Sequence, residues 1–199
     1  EELDAAGLYV LPGMLDCRAH INDPGFTWRE ALPHASEAAA VGGVTTLIDM
    51  PLQNTPPLTS ADAFANKLAV FEGCSLVDYA LWGGLVTDNT AELAGMDAAG
   101  AVGFKAFIAP VSLGYSSVDM GLAREALFRI KAFGGLAGFH CEDHALICAG
   151  EAKAKAGGGT RRAFLDSRPV VAEVIATANV IELARETGAR VHICHVSHP

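Results

Sequence analysis

Four side chains in this sequence are of the right type to hold a divalent cation: His20, Lys105, His140 and His195. A neutral imidazole offers a nitrogen lone pair and is the commonest protein ligand for metals. Histidines that converge at one end of a parallel sheet make a natural site for zinc or a similar ion. Lys105 is the unusual member, because it interrupts the apolar run Gly103-Phe104-Lys105-Ala106-Phe107. A buried ammonium is costly unless it is paired, modified, or able to reach solvent along its own stem. Burial that lowers the amine pKa also frees it to react with carbon dioxide, and the resulting carbamate is anionic and can bridge two cations. Any one of these histidines alone would pass as a structural residue; their shared placement at strand ends marks them. The other histidines lack that pattern. His34 lies near a helix start, and His144 and His198 fall in expected loops. His192, three residues before His195, is expected on the opposite face of its strand.

The elements that would position these groups follow from the apolar pattern. Strand-like runs at residues 8–11 continuing to 14–17, then 44–49, 76–85, 102–108, 136–141 and 190–196, alternate with helical patterns. The helices are expected near residues 35–41, 60–71, 90–93, 119–132, 145–155 and 169–187. Ser60 and Asp119 are suited to N-caps. Gly42 and Gly43 close the first helix, and Pro169 and Gly188 bracket the last. Residues 154–160 read as a surface loop. The strands are apolar almost throughout, the mark of a parallel sheet buried on both faces. Repeated βα units of this kind mean a doubly wound sheet or a TIM-type (β/α) barrel, and both place their chemistry at the C-terminal ends of the strands. About six units are visible, so a barrel is expected to be incomplete, with strands seven and eight missing.

Composition narrows the function. The chain has 199 residues, 51% of them hydrophobic and 19% charged, with a formal net charge of -9. An acidic surface is poorly suited to nucleic acid. No run approaches the roughly 18 apolar residues of a membrane span. No basic segment followed by an apolar run marks a signal peptide. The cysteines Cys17, Cys74, Cys141, Cys148 and Cys194 form no CxxC pair, which argues against a cysteine-based zinc site. They read as reduced thiols in the cytoplasm. An open six-stranded sheet exposes strand edges, so a homo-oligomer is expected.

Several segments carry a family resemblance. Pro12-Gly13-Met14-Leu15-Asp16-Cys17-Arg18-Ala19-His20 resembles the opening strand of the metal-dependent cyclic amidohydrolases, the allantoinase, dihydroorotase and hydantoinase kind. Ile21-Asn22-Asp23-Pro24-Gly25 and Asp49-Met50-Pro51-Leu52-Gln53-Asn54 resemble the allantoinase branch. Ala38 to Thr46, Gly103-Phe104-Lys105, His140-Cys141-Glu142, Ser167-Arg168-Pro169 with Glu173, and Cys194-His195-Val196-Ser197 follow in family order. The resemblance implies an amidohydrolase barrel over residues 1–199 as a single partial domain, with residues 1–10 ending an N-terminal β-sandwich segment. It implies up to two metal ions, usually zinc, with a carbamylated Lys105 as bridge. His140 and His195 would hold one ion, and His20 with position 18 the other. It places Asn22 near the substrate, a small cyclic amide or ureide such as allantoin, opened to allantoate in purine catabolism.

Arg18 departs from the family, which has a histidine there; a guanidinium stays protonated and has no lone pair to offer a metal. The proton-shuttling aspartate of strand eight is expected beyond residue 199, so no catalytic group of that kind is assigned within the chain. The chain alone is therefore expected to be inactive. The alternatives are a dihydroorotase or dihydropyrimidinase/hydantoinase, and a non-catalytic amidohydrolase-like pseudoenzyme.

Overall fold

A computed structural model describes residues 2–111 and 114–198. Its strands are β1 (Met14–Ala19), β2 (Val44–Asp49), β3 (Asp78–Leu81), β4 (Gly83–Gly84), β5 (Phe104–Phe107), β6 (Leu136–His140) and β7 (Arg190–Ile193). Its helices are α1 (Leu32–Val41), α2 (Ala61–Cys74), α3 (Leu93–Ala98), α4 (Met120–Ala132), α5 (His144–Ala156), α6 (Arg161–Asp166) and α7 (Val170–Thr187).

All strand pairs are parallel, in the orders β1-β2-β3 and β4-β5-β6-β7. The two sheets are continuous around Trp82. Its N–H donates to the Asp49 carbonyl (2.9 Å), and the next N–H, of Gly83, turns to Gly103 (2.8 Å). The Val102 N–H reaches back to Leu81 (3.0 Å). β3 and β4 are therefore one strand broken at a single residue, and six parallel strands follow one another in sequence order. That is the TIM-type α/β arrangement expected. The helices pack on the outside of the sheet through Leu32, Phe64, Phe71, Leu127 and Ile130, against Leu47, Phe104, Ala106, Ala137 and Phe139. Capping sets several helix starts: Ser60 accepts from the Ala63 N–H (3.2 Å), Asp119 from Leu122 (2.8 Å) and Asp143 from Leu146 (2.9 Å). Gly188, at φ 65, closes α7 in the left-handed conformation.

Several expectations are corrected. Residues 8–11 form no strand, and no strand lies in residues 2–13; this stretch is largely exposed, and Pro12 with Gly13 separates it from β1. The helix α6 has no buried residue, so it left no apolar period to read. α5 runs on to Ala156, into the expected loop, and His144 is its first residue. The outermost strands are not buried on both faces: Met14 and Leu15 of β1 are exposed. Among the described residues β1 pairs only with β2, and β7 only with β6.

Candidate metal centre at the strand ends

Parallel register gathers the chemistry on one face. Lys105 pairs with Gly138, and Phe107 with His140. A side chain on Gly138 would meet the Trp82 ring at 3.0 Å and Cys194 Sγ at 3.4 Å, which places all of these on the inner face. Trp82 also lies so close to Gly103 that a Cβ there would stand 2.6 Å from its ring. The indole thus occupies the layer below Lys105 and His140, each two residues further along its strand.

Lys105 is 1% exposed, and its Nζ has no hydrogen-bond partner. The amine stands 4.6 Å from the centroid of the Phe107 ring. Burial holds its pKa below the usual lysine value, against the neighbouring Cys194 thiol and reinforced by the Arg18 charge. Tyr115, fully enclosed, donates its O–H to the Lys105 backbone carbonyl (2.5 Å) and stands edge-on to Phe107.

His140 stacks on Phe107, with ring centroids 5.1 Å apart. Its Nδ1 faces His195 Nε2 at 3.3 Å, and its Nε2 contacts Glu142 Oε2 at 2.6 Å. Arg168 donates to the same Glu142 oxygen (2.7 Å) and to Glu151 (3.1 Å), so the carboxylate behind His140 is itself anchored. Burial lowers the His140 pKa despite Glu142. His195 is lowered to about 4, by burial first and then by the charges of His140, Lys105 and Arg18.

The placement of His195 defies simple alternation. Cys194 lies on the inner face beside Gly138, so a regular strand would send His195 outward. Instead β7 ends at Ile193, and His195 takes φ 42, a left-handed conformation uncommon for a side-chain-bearing residue. That turn brings its ring to 4.7 Å from His140. His192, expected on the outer face, pairs with Gly138 and so belongs to the inner one.

His20 follows β1 and is half-buried, with its Nδ1 lacking a partner. Burial lowers its pKa, helped by Arg18 and Lys105. Asn22 is buried; its amide approaches the His20 carbonyl (3.4 Å), and its Oδ1 has no partner. Beneath this loop Lys67 of α2 meets Asp49 of β2 at 2.9 Å, with both side chains fully buried. Burial pushes the Asp49 carboxyl up to about 6 against the pull of Lys67, and holds the Lys67 amine down.

Of the residues singled out in sequence, His140 and His195 are in contact, with Lys105 close enough to bias both electrostatically. His20 senses Lys105 but is not drawn into the same cluster. Among the described residues no three His, Cys, Asp or Glu side chains converge on one point. The donors nevertheless suit a divalent ion. The imidazoles are held neutral, two ring nitrogens face one another, and Lys105 Nζ and His20 Nδ1 are buried without partners. Arg18 works against this, because its positive charge acts on His20, Lys105 and His195 alike and opposes a bound cation as it opposes their protonation. Phe107 and Tyr115 were not foreseen as neighbours of the site. Glu142 and Arg168 were visible as motif residues but not as the support of His140, because their contact spans 26 positions in sequence.

Comparison with known proteins agrees with this fold. The dihydro-orotase-like family model matches residues 7–198. An allantoinase of Solibacter usitatus (strain Ellin6076) is 40% identical over 98% of the chain and 43% of its own length. One from Streptomyces avermitilis is 39% identical over 94% of the chain and 42% of its own length. Among solved structures, L-hydantoinase (dihydropyrimidinase) from Arthrobacter aurescens superposes with a TM-score of 0.93 at 38% identity, covering 99% of this chain and 44% of that one. D-hydantoinase from Bacillus sp. AR9 gives 0.82 at 28%, covering 99% and 44%. The chain therefore spans less than half the length of the relatives it matches.

Proposed function

Because the chain belongs to the dihydro-orotase-like family, we propose that the whole protein is a metal-dependent cyclic amidohydrolase that opens allantoin to allantoate in purine catabolism. The observation that carries this reading is the facing pair His140 Nδ1 and His195 Nε2 beside the unpartnered Lys105 amine. The allantoinases among the relatives point to the substrate.

In this reading His140, His195 and Lys105 hold a divalent ion, zinc by preference, and His20 contributes to a second. Such an ion, when bound, supplies Lewis acidity: it makes water a nucleophile at neutral pH and polarises an amide carbonyl. Lys105 serves as a carbamate, and burial favours the uncharged amine that this needs. Glu142 orients His140 and raises its basicity as a ligand, as carboxylates behind ligating histidines do. Asn22 Oδ1 accepts a ring N–H of the ureide. An aspartate from beyond residue 199 carries the proton. Arg18 offers no lone pair on the His20 side, so one ion per chain is expected rather than two. The protein is read as a cytoplasmic homo-oligomer acting on a small molecule. Among the described residues no helix is long and apolar enough to cross a membrane.

The likeness to a hydantoinase supports a second reading, ring opening of hydantoins or dihydropyrimidines. The test is to purify the complete gene product without chelator, measure zinc per chain, and assay allantoin, hydantoin and dihydroorotate side by side. About one zinc per chain with turnover of allantoin is the expected result, and Arg18→His should raise the metal content towards two. Turnover of hydantoin alone selects the second reading. Neither metal nor turnover, before or after Arg18→His, makes the protein a non-catalytic relative.

A further inference from the structure

Ile21 lies between His20 and Asn22, and one buried ion pair takes both of its backbone polar groups. Its N–H donates to Asp49 Oδ1 (2.5 Å), and its carbonyl accepts from Lys67 Nζ (2.7 Å). The same ammonium donates to Asn54 Oδ1 (2.6 Å) and meets Asp49 Oδ2 at 2.9 Å. The ammonium thus makes two hydrogen bonds and one ion-pair contact, to three different parts of the chain. Asn54 belongs to the loop after β2, and that loop also touches the loop after β1. The Thr55 N–H donates to the Pro24 carbonyl (3.0 Å), and Gly25, at φ 105, sits so close that a Cβ would stand 2.5 Å from Thr55.

A buried ion pair is a poor way to gain stability, since apolar residues of the same volume often do as well or better. What this pair achieves is location. It ties β2, α2 and both mouth loops to a single peptide, next to the candidate ligand His20 and the candidate substrate contact Asn22. We propose that Asp49 and Lys67 are positioning residues whose ion pair grips the Ile21 peptide and so sets where His20 and Asn22 stand at the barrel mouth. What those two residues then do rests on the functional reading above; the grip itself does not.

The test uses the complete gene product. Lys67→Met alone strands a buried carboxylate and confounds grip with stability. The informative variant is the double one, Asp49→Asn with Lys67→Met. It leaves no lone buried charge and keeps an acceptor for the Ile21 N–H, but it frees the Ile21 carbonyl. Three quantities are measured: the unfolding temperature, deuterium exchange over residues 18–25 against residues 104–108, and zinc affinity together with KM for the ring substrate. The expected result is a folded double variant in which residues 18–25 exchange at least tenfold faster while 104–108 are unchanged, and in which zinc affinity and KM worsen about tenfold. If zinc affinity and KM of the double variant stay at the wild-type values, or exchange over 18–25 is unaltered, the pair is merely structural and the proposal is overturned. If the double variant does not fold, Asn54→Ala removes one acceptor from Lys67 and should show the same local exchange at smaller size; unaltered exchange there overturns the proposal as well. A wild-type protein without zinc or turnover would sink the amidohydrolase reading, while the exchange comparison would still decide the grip.

Discussion

His195 shows how much one backbone torsion decides. At φ 42 its ring meets His140; in a regular strand it would face away. Its histidine identity was legible, but its direction was not, because alternation is a rule about strands and β7 has already ended. Arg18 is the opposite case, since residue type alone excludes it as a ligand and the structure adds only that its charge reaches the neighbouring imidazoles. The cysteines give a test at this scale. Cys17, Cys74 and Cys148 are exposed, whereas Cys141 and Cys194 are buried. Burial also pushes the Cys141 thiol up to about 11, so its thiolate fraction at pH 8 is on the order of one part in a thousand. Thiol titration of the native protein with a disulfide reagent at pH 8 should show fast reaction at Cys17, Cys74 and Cys148, and at Cys141 and Cys194 only after denaturation; fast reaction at Cys141 in the native state would contradict the burial described.

At the scale of elements, local signals were read well where the chemistry is local. Ser60 and Asp119 cap the helices they were expected to cap, and Gly188 ends the last one. Asp119→Ala should destabilise the protein by about 1 kcal/mol, the usual worth of a capping carboxylate, read as a lower denaturant midpoint with unchanged slope. Asp119→Asn, which keeps the acceptor, should restore most of the loss; equal destabilisation by both variants would mean that the cap is not the cause. The misses have physical reasons too. The break at Trp82 divides what reads as one apolar run, because the backbone there changes hydrogen-bond partners from β2 to β5. The helix α6 is amphipathic to nothing, as none of its residues is buried.

At the largest scale, six parallel strands in sequence order leave outer edges at β1 and β7 among the described residues. Met14 and Leu15 on β1, and Val170, Val171 and Val174 on α7, are exposed apolar side chains. Unpaired edges beside exposed apolar surface favour association. Light scattering of the 199-residue chain by itself is therefore expected to give a dimer or larger assembly, and a monodisperse monomer would count against it.

Residue types and their spacing were enough to determine the parallel α/β repeat, and to single out the strand ends, with His20, Lys105, His140 and His195, as candidates for its chemistry. These are properties of periodicity and of lone pairs, and both are written along the chain. Only the tertiary structure decided which candidates meet. His140 and His195 are 55 positions apart, and register together with one left-handed residue brings their nitrogens to 3.3 Å. It also decided what surrounds them: Glu142 held by Arg168, Phe107 against both Lys105 and His140, and Lys67 seated between two loops. Such contacts depend on packing between distant segments, and no local pattern encodes them.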